Sequence, residues 1–120
     1  DDNLLGTAAA ERLVGGRGDD VLNGAGGNDV LKGGAGDDVL VYDSADSLAV
    51  EGDSGTDTLR IDGAGVTLDL TLATMRHLAG IEHIALGGSG ANSVVLGVDD
   101  VLRLPDRFAM FVDAPRSQVL

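Results

Sequence analysis

The sequence contains no cysteine and no tryptophan, two prolines, two histidines, and only three aromatic side chains, Tyr42, Phe108 and Phe111. The missing thiols exclude disulfides, zinc–thiolate centres and cysteine nucleophiles together. Three aromatic rings cannot centre a core. Positive charge is equally scarce: eight Lys and Arg stand against 20 Asp and Glu, for a net charge of -12. Binding to nucleic-acid phosphates or to anionic membrane needs the opposite balance, so no nucleic-acid partner is expected. No apolar run is long enough for a membrane span. No signal-peptide pattern opens the sequence, which starts in mid-motif at Asp1-Asp2-Asn3. Glycine is what the chain has in quantity, 19 of 120 residues, together with 43% apolar side chains. That is too apolar for a disordered acidic tail and long enough for one domain.

The two halves differ. Residues 1–57 hold 13 acidic and three basic side chains, whereas 58–120 hold seven and five. The acidic half carries an internal repeat of nine residues, in three tandem blocks that start at Gly15, Gly24 and Gly33. In each block, position six is Asp (Asp20, Asp29, Asp38) and position eight is Leu (Leu22, Leu31, Leu40). Upstream the register persists in weaker form, with Glu11 and Asp2 at position six and Leu13 and Leu4 at position eight. Downstream it returns at Gly52–Arg60 after an interruption at 42–51, placing Asp57 at position six.

The pattern GGxGxDxUx, with U a large aliphatic, resembles the calcium-binding nonapeptide of RTX (repeats-in-toxin, hemolysin-type) proteins, a known sequence signature. The physics of the residues agrees. Six glycine-rich residues form a turn that side chains with a Cβ resist, and three residues form a short strand with position eight facing inward. Turns alternate sides, so 18 residues complete one coil of a parallel β-roll. Asp2, Asp20 and Asp38 then line one edge, with Asp57 continuing the row if the interruption adds one turn, while Glu11 and Asp29 line the other. Neighbouring coils lie about 5 Å apart, and at an effective dielectric near 20 unscreened carboxylates that close repel by several kcal/mol. A hard divalent cation between them reverses the sign, and Ca²⁺ accepts six to eight oxygens in flexible geometry. The candidate ligands are therefore the position-six carboxylates Asp20, Asp29 and Asp38, with Asp2, Asp57 and Glu11. Backbone oxygens of the turns add to them: Gly15, Gly16, Arg17, Gly18 and Asp19; Gly24, Gly26, Gly27 and Asn28; Gly33, Gly34, Ala35, Gly36 and Asp37. Around Asp29, the register offers Ser47, with Asp43 and Asp46 near it.

From Thr58 onward plain strand alternation replaces the repeat, as in Leu59/Ile61, Val66/Leu68/Leu70/Leu72, Ile84/Leu86, Val94/Leu96/Val98 and Phe108/Met110/Val112. Short helical turns are allowed over 72–78 and 99–104. The expected fold is all-β: a calcium-binding parallel β-roll at 1–60, then a strand-rich extension or cap at 61–120, either stacked on the roll or folded as a small sandwich, packed with it as one unit. The segments Val41–Ser47 and Gly55–Leu59 resemble the C-terminal portion of RTX proteins exported by type I secretion. Gly80–Leu86, Gly90–Ser93 and Asp100–Leu102 are similar to the C-terminal region of very large bacterial adhesins. These resemblances imply the type I secretion machinery as a partner, export unfolded, and folding outside the cell or on its surface where calcium is plentiful.

No catalytic constellation is present. Neither G-x-S-x-G nor H-E-x-x-H occurs, and Gly87-Gly88-Ser89-Gly90 lacks the Lys-Ser/Thr of a phosphate loop. His77 and His83 have no third metal-type ligand at helical spacing, and Arg17-Gly18-Asp19, an integrin-type tripeptide, falls on repeat positions three to five. The chain is read as a non-enzymatic calcium-dependent folding and export module. Two other contexts stay open: the non-catalytic tail of a secreted protease, lipase or polysaccharide-modifying enzyme, and an adhesive module that binds a surface or glycan near 87–100.

Overall fold

The computed structural model describes residues 1–42, 49–62, 65–69, 78–87, 92–95, 109–112 and 118–119. The expected partners Ser47, Asp43 and Asp46, and most of the two expected helical turns, fall outside these residues; Leu78, at the end of the first, is in a strand.

The repeat region forms seven strands: β1 (Asn3–Leu5), β2 (Arg12–Arg17), β3 (Val21–Asn23), β4 (Val30–Ala35), β5 (Val39–Val41), β6 (Ala49–Ser54) and β7 (Thr58–Ile61). Six more follow: β8 (Thr67–Asp69), β9 (Leu78–Ala79), β10 (His83–Leu86), β11 (Ser93–Val95), β12 (Ala109–Val112) and β13 (Gln118–Val119). Odd and even repeats fall in different sheets because each glycine turn reverses the chain. One sheet has the order β1-β3-β5-β7-β10-β12 and a second β2-β4-β6-β9. All pairings are parallel, with Leu4 beside Leu22, Leu22 beside Leu40, and Leu40 beside Leu59. The last step is one residue longer, as is Leu31 beside Val50 on the facing sheet. The interruption is thus absorbed as a single extra residue in one coil.

Position eight fills the interior. Leu22, Leu31, Leu40 and Leu59 are wholly buried, and Leu4 and Leu13 pack on them from the first coil. The stack continues past the repeats through Ile84, while Ile61 and Leu86 add a second buried row where β7 and β10 are one residue longer.

The second half takes the stacked arrangement. β10 pairs in parallel with β7, and β12 with β10, so one sheet runs from residue 3 to residue 112. The coil itself changes. Between Thr58 and His83 the described residues of one solenoid turn include three strands, β7, β8 and β9, where a repeat coil has two. The extra strand belongs to a third parallel sheet, β13-β11-β8. Where strand alternation replaces the nonapeptide turn, this third face appears, and the two-sided roll passes into a three-sided coil.

The glycines divide by task. Positions two and four adopt φ between +105° and +140° at Gly16, Gly18, Gly27, Gly34, Gly36 and Gly55, a region that side chains with a Cβ avoid. The two non-glycine described residues with positive φ, Ala25 and Asp53, both stand at position two, while Gly65 and Gly80, past the repeats, have φ of +68° and +61°. Position-one glycines lack this φ and are small for a different reason.

Candidate metal centre

Strands β1, β3, β5 and β7 of the first sheet are each entered from a position-six carboxylate, Asp2, Asp20, Asp38 and Asp57. Asp20, Asp38 and Asp57 are fully buried, as is Asp29 on the opposite edge. Their Oδ1 atoms tie successive coils together. Asp2 N donates to Asp20 Oδ1 (2.6 Å), Asp20 N to Asp38 Oδ1 (2.8 Å) and Asp38 N to Asp57 Oδ1 (2.8 Å). On the other edge Glu11 N donates to Asp29 Oδ1 at 2.8 Å. One oxygen of each carboxylate therefore satisfies a backbone N–H that the turn leaves without a sheet partner.

The second oxygen does not. Oδ2 of Asp20, Asp38 and Asp57 is buried without a hydrogen-bond partner. Burying a charged oxygen in this way is costly unless something outside the protein meets it. The position-one glycines show where these atoms point. A Cβ on Gly15 would touch Asp20 Oδ2 and lie 2.7 Å from the Gly33 carbonyl oxygen. A Cβ on Gly33 would touch Asp38 Oδ2 and lie 2.8 Å from Gly52 O, and one on Gly24 would touch Asp29 Oδ2. Carboxylate and carbonyl oxygens of adjacent coils thus converge on small cradles that only glycine leaves open. Carbonyl oxygens of Gly16, Gly18 and Gly36 also face the next coil, at Gly34, Gly36 and Gly55. Among the described residues no group of three or more His, Asp or Glu side chains is gathered to hold an ion alone, so the carbonyls are needed. An all-oxygen set with few carboxylates and flexible geometry fits calcium.

Other expected ligands are placed differently. Glu11 is half-buried and folded onto its own turn, accepting from Thr7 N (2.6 Å) and Thr7 Oγ1 (2.7 Å), and these bonds hold its carboxyl below the usual range. Its Oε2 still borders the cradle at Gly6, where an added Cβ would touch it and lie 2.6 Å from Gly24 O. Asp19 and Asp37, at position five, form an outer column. Asp19 N donates to Asp1 Oδ1, Asp37 N to Asp19 Oδ1 (2.9 Å) and Thr56 N to Asp37 Oδ1 (2.8 Å). Their carboxylates are coil-to-coil acceptors. The carbonyl of Ala35 accepts from Gly18 N at 2.7 Å, and Arg17, paired with Ala35 in the β2–β4 ladder, is exposed.

Two residues outside the candidate set belong to the same construction. Glu82, buried, accepts from Asp57 N through Oε2 (2.9 Å) and so takes the position-six place in the next coil. Asn92, wholly buried, accepts from Val66 N (2.9 Å) and donates to Gly87 O (2.6 Å), a neutral counterpart on the third sheet. Each stands one residue before a strand, the only sequence signal that marks them.

Two carboxyls of the column are pushed above their usual range. Burial pushes the Asp57 carboxyl up to about 6 from 3.8, with Asp38 and Glu82 adding repulsion against the bond from Asp38 N. Asp38 is raised for the same first cause, burial. A carboxyl whose folded pKa is raised favours the fold while protonated. That contribution is complete below about pH 4 and lost as pH rises through 6. The calcium-free chain should accordingly gain β-structure when acidified from pH 7.5 to 4.5, followed by circular dichroism. In the same window protons compete for the ligands, so the folded chain should bind calcium more weakly as pH falls. An acid-insensitive calcium-free spectrum would contradict this.

Among the described residues no helix is long and apolar enough to cross a membrane. No curated protein and no solved structure matches the chain. Residues 5–40 match the family model of the RTX calcium-binding nonapeptide repeat, in a four-copy form. The segment Leu5–Leu40 is an RTX repeat array, and the ion its stacked turns bind is calcium.

Proposed function

We propose that the chain is a calcium-dependent folding module of an extracellular bacterial protein exported by type I secretion. It carries no catalytic step of its own. The single observation that carries this reading is the column of buried Asp20, Asp38 and Asp57 Oδ2 atoms without a protein partner. In a calcium-poor cytosol these carboxylates repel and the acidic half stays expanded, which suits passage through an export channel. Outside, calcium bridges successive coils and the binding free energy becomes folding free energy. The position-six carboxylates and turn carbonyls hold the ion. What calcium supplies is charge neutralisation and cross-linking of coils. Affinity belongs in the extracellular class, on the order of 10⁻⁴–10⁻³ M.

The test is a calcium titration of the purified chain by far-ultraviolet circular dichroism. A cooperative coil-to-β transition centred near millimolar calcium is expected. A spectrum identical in chelator and in calcium would overturn the reading.

A further inference from the structure

The match to the repeat family ends at residue 40, yet the oxygen-lined cradles do not. At Gly52 an added Cβ would touch both Asp57 Oδ2 and the carbonyl oxygen of Gly80. Gly80 follows β9, whose Leu78 and Ala79 pair with Val50 and Glu51, so Gly80 stands opposite Gly52 at position one. Two residues later Glu82 accepts from Asp57 N, the position-six role, and His83 opens β10 opposite Thr58. The six-residue turn Gly52–Asp57 is therefore matched by a three-residue turn, Gly80-Ile81-Glu82. Ile81 is buried where a repeat carries an exposed or half-buried turn residue. Glutamate in place of aspartate supplies the extra reach that a turn cut by half requires.

We propose that Asp57, Glu82 and the Gly80 carbonyl form a further calcium site, outside the nonapeptide pattern, that joins the roll to the first three-strand coil. Asp57 Oδ2 is wholly buried, has no protein partner and faces this cradle. The donor set is again all oxygen, carboxylate with carbonyl, which selects calcium over softer ions. Coupling follows from position. β10 enters the sheet immediately after Glu82, so an ion here fastens the strand that continues the solenoid. The second half then folds as a consequence of ion binding, although it has no repeat of its own. This inference rests on the calcium-folding reading above.

The test uses the full chain and calcium alone. Glu82→Gln keeps an oxygen to accept from Asp57 N and removes only the charge. Isothermal titration should count one ion fewer than in the unaltered chain. Hydrogen exchange should show protection of His83–Leu86 shifted to about tenfold higher calcium, while Val21–Asn23 and Val39–Val41 move less than about twofold. Gly52→Ala, which fills the cradle without altering a charge, should lose the same ion. An unchanged ion count and an unchanged His83–Leu86 midpoint in Glu82→Gln would overturn the site, leaving Glu82 a hydrogen-bond acceptor only. If Glu82→Gln does not fold in saturating calcium, the unaltered chain decides: protection of His83–Leu86 that appears only with calcium supports the site, and protection that survives chelator overturns it. If the unaltered chain binds no calcium, the folding reading itself falls and this inference with it.

Discussion

Asp38→Ala is expected to raise the calcium required for folding by about tenfold or more, because two losses coincide at one side chain. Asp38 sits in the middle of its column, between Asp20 and Asp57. Its Oδ1 accepts from the buried Asp20 N, and its Oδ2 faces the cradle at Gly33. Alanine strands that backbone N–H, which costs roughly 1–3 kcal/mol when no water reaches it. It also takes a carboxylate from the ion between this coil and its neighbour. Repulsion on Asp20 and Asp57 falls at the same time, so the calcium-free chain loses less than the bound one. Asp53→Ala is the matched comparison. Asp53 is exposed, and among the described residues its carboxylate meets only Lys32, at 3.5 Å, a surface pair of small worth. Midpoints from circular dichroism should separate clearly. Equal shifts in the two variants would mean that position six does not hold the ion.

Gly33→Ala is expected to be about as damaging, and for a reason that backbone preference cannot supply. Gly33 is absent from the residues with positive φ, so alanine can adopt its conformation without strain. The added methyl group would instead occupy the space between Asp38 Oδ2 and Gly52 O. That is the space assigned to calcium. In calcium the variant should lose an ion and several-fold in apparent affinity, on the order of tenfold when the carboxylate is displaced. Gly16→Ala gives the contrast. Its φ is +109°, but nothing lies within 4 Å of the added carbon, so the cost is conformational, about 1–2 kcal/mol, with the ion count unchanged. Isothermal titration separates the two. An unaltered ion count in Gly33→Ala would show that the cradles are merely tight packing.

Much of this construction is legible in the sequence because it is periodic. The 18-residue spacing of Asp2, Asp20 and Asp38 fixes both the column and its register, and Asp57 extends it across a coil one residue longer, as Asp38 N shows by bonding to Asp57 Oδ1. Leucine at position eight marks the interior in the same way. What the sequence conceals is non-local. Asp19 and Asp37 occupy a variable position of the repeat, and their role as acceptors from the following coil appears only once the coils are stacked. Glu82 is hidden because its turn keeps one glycine and three residues, too little for the motif to survive. Asn92 is hidden because an amide replaces the carboxylate. Alternation in the second half reveals strands without their direction. Parallel stacking on the roll and the third sheet depend on where the chain returns, which no local pattern encodes.

The most direct measurement is hydrogen exchange at the backbone amides of Asp20 and Asp38, each of which donates to the carboxylate one coil ahead. In calcium both should be strongly protected. In chelator at neutral pH both should exchange at the rate of an open chain, because the acidic coils separate when nothing bridges them. Equal protection in the two conditions would show that the stacked carboxylates stand together without an ion.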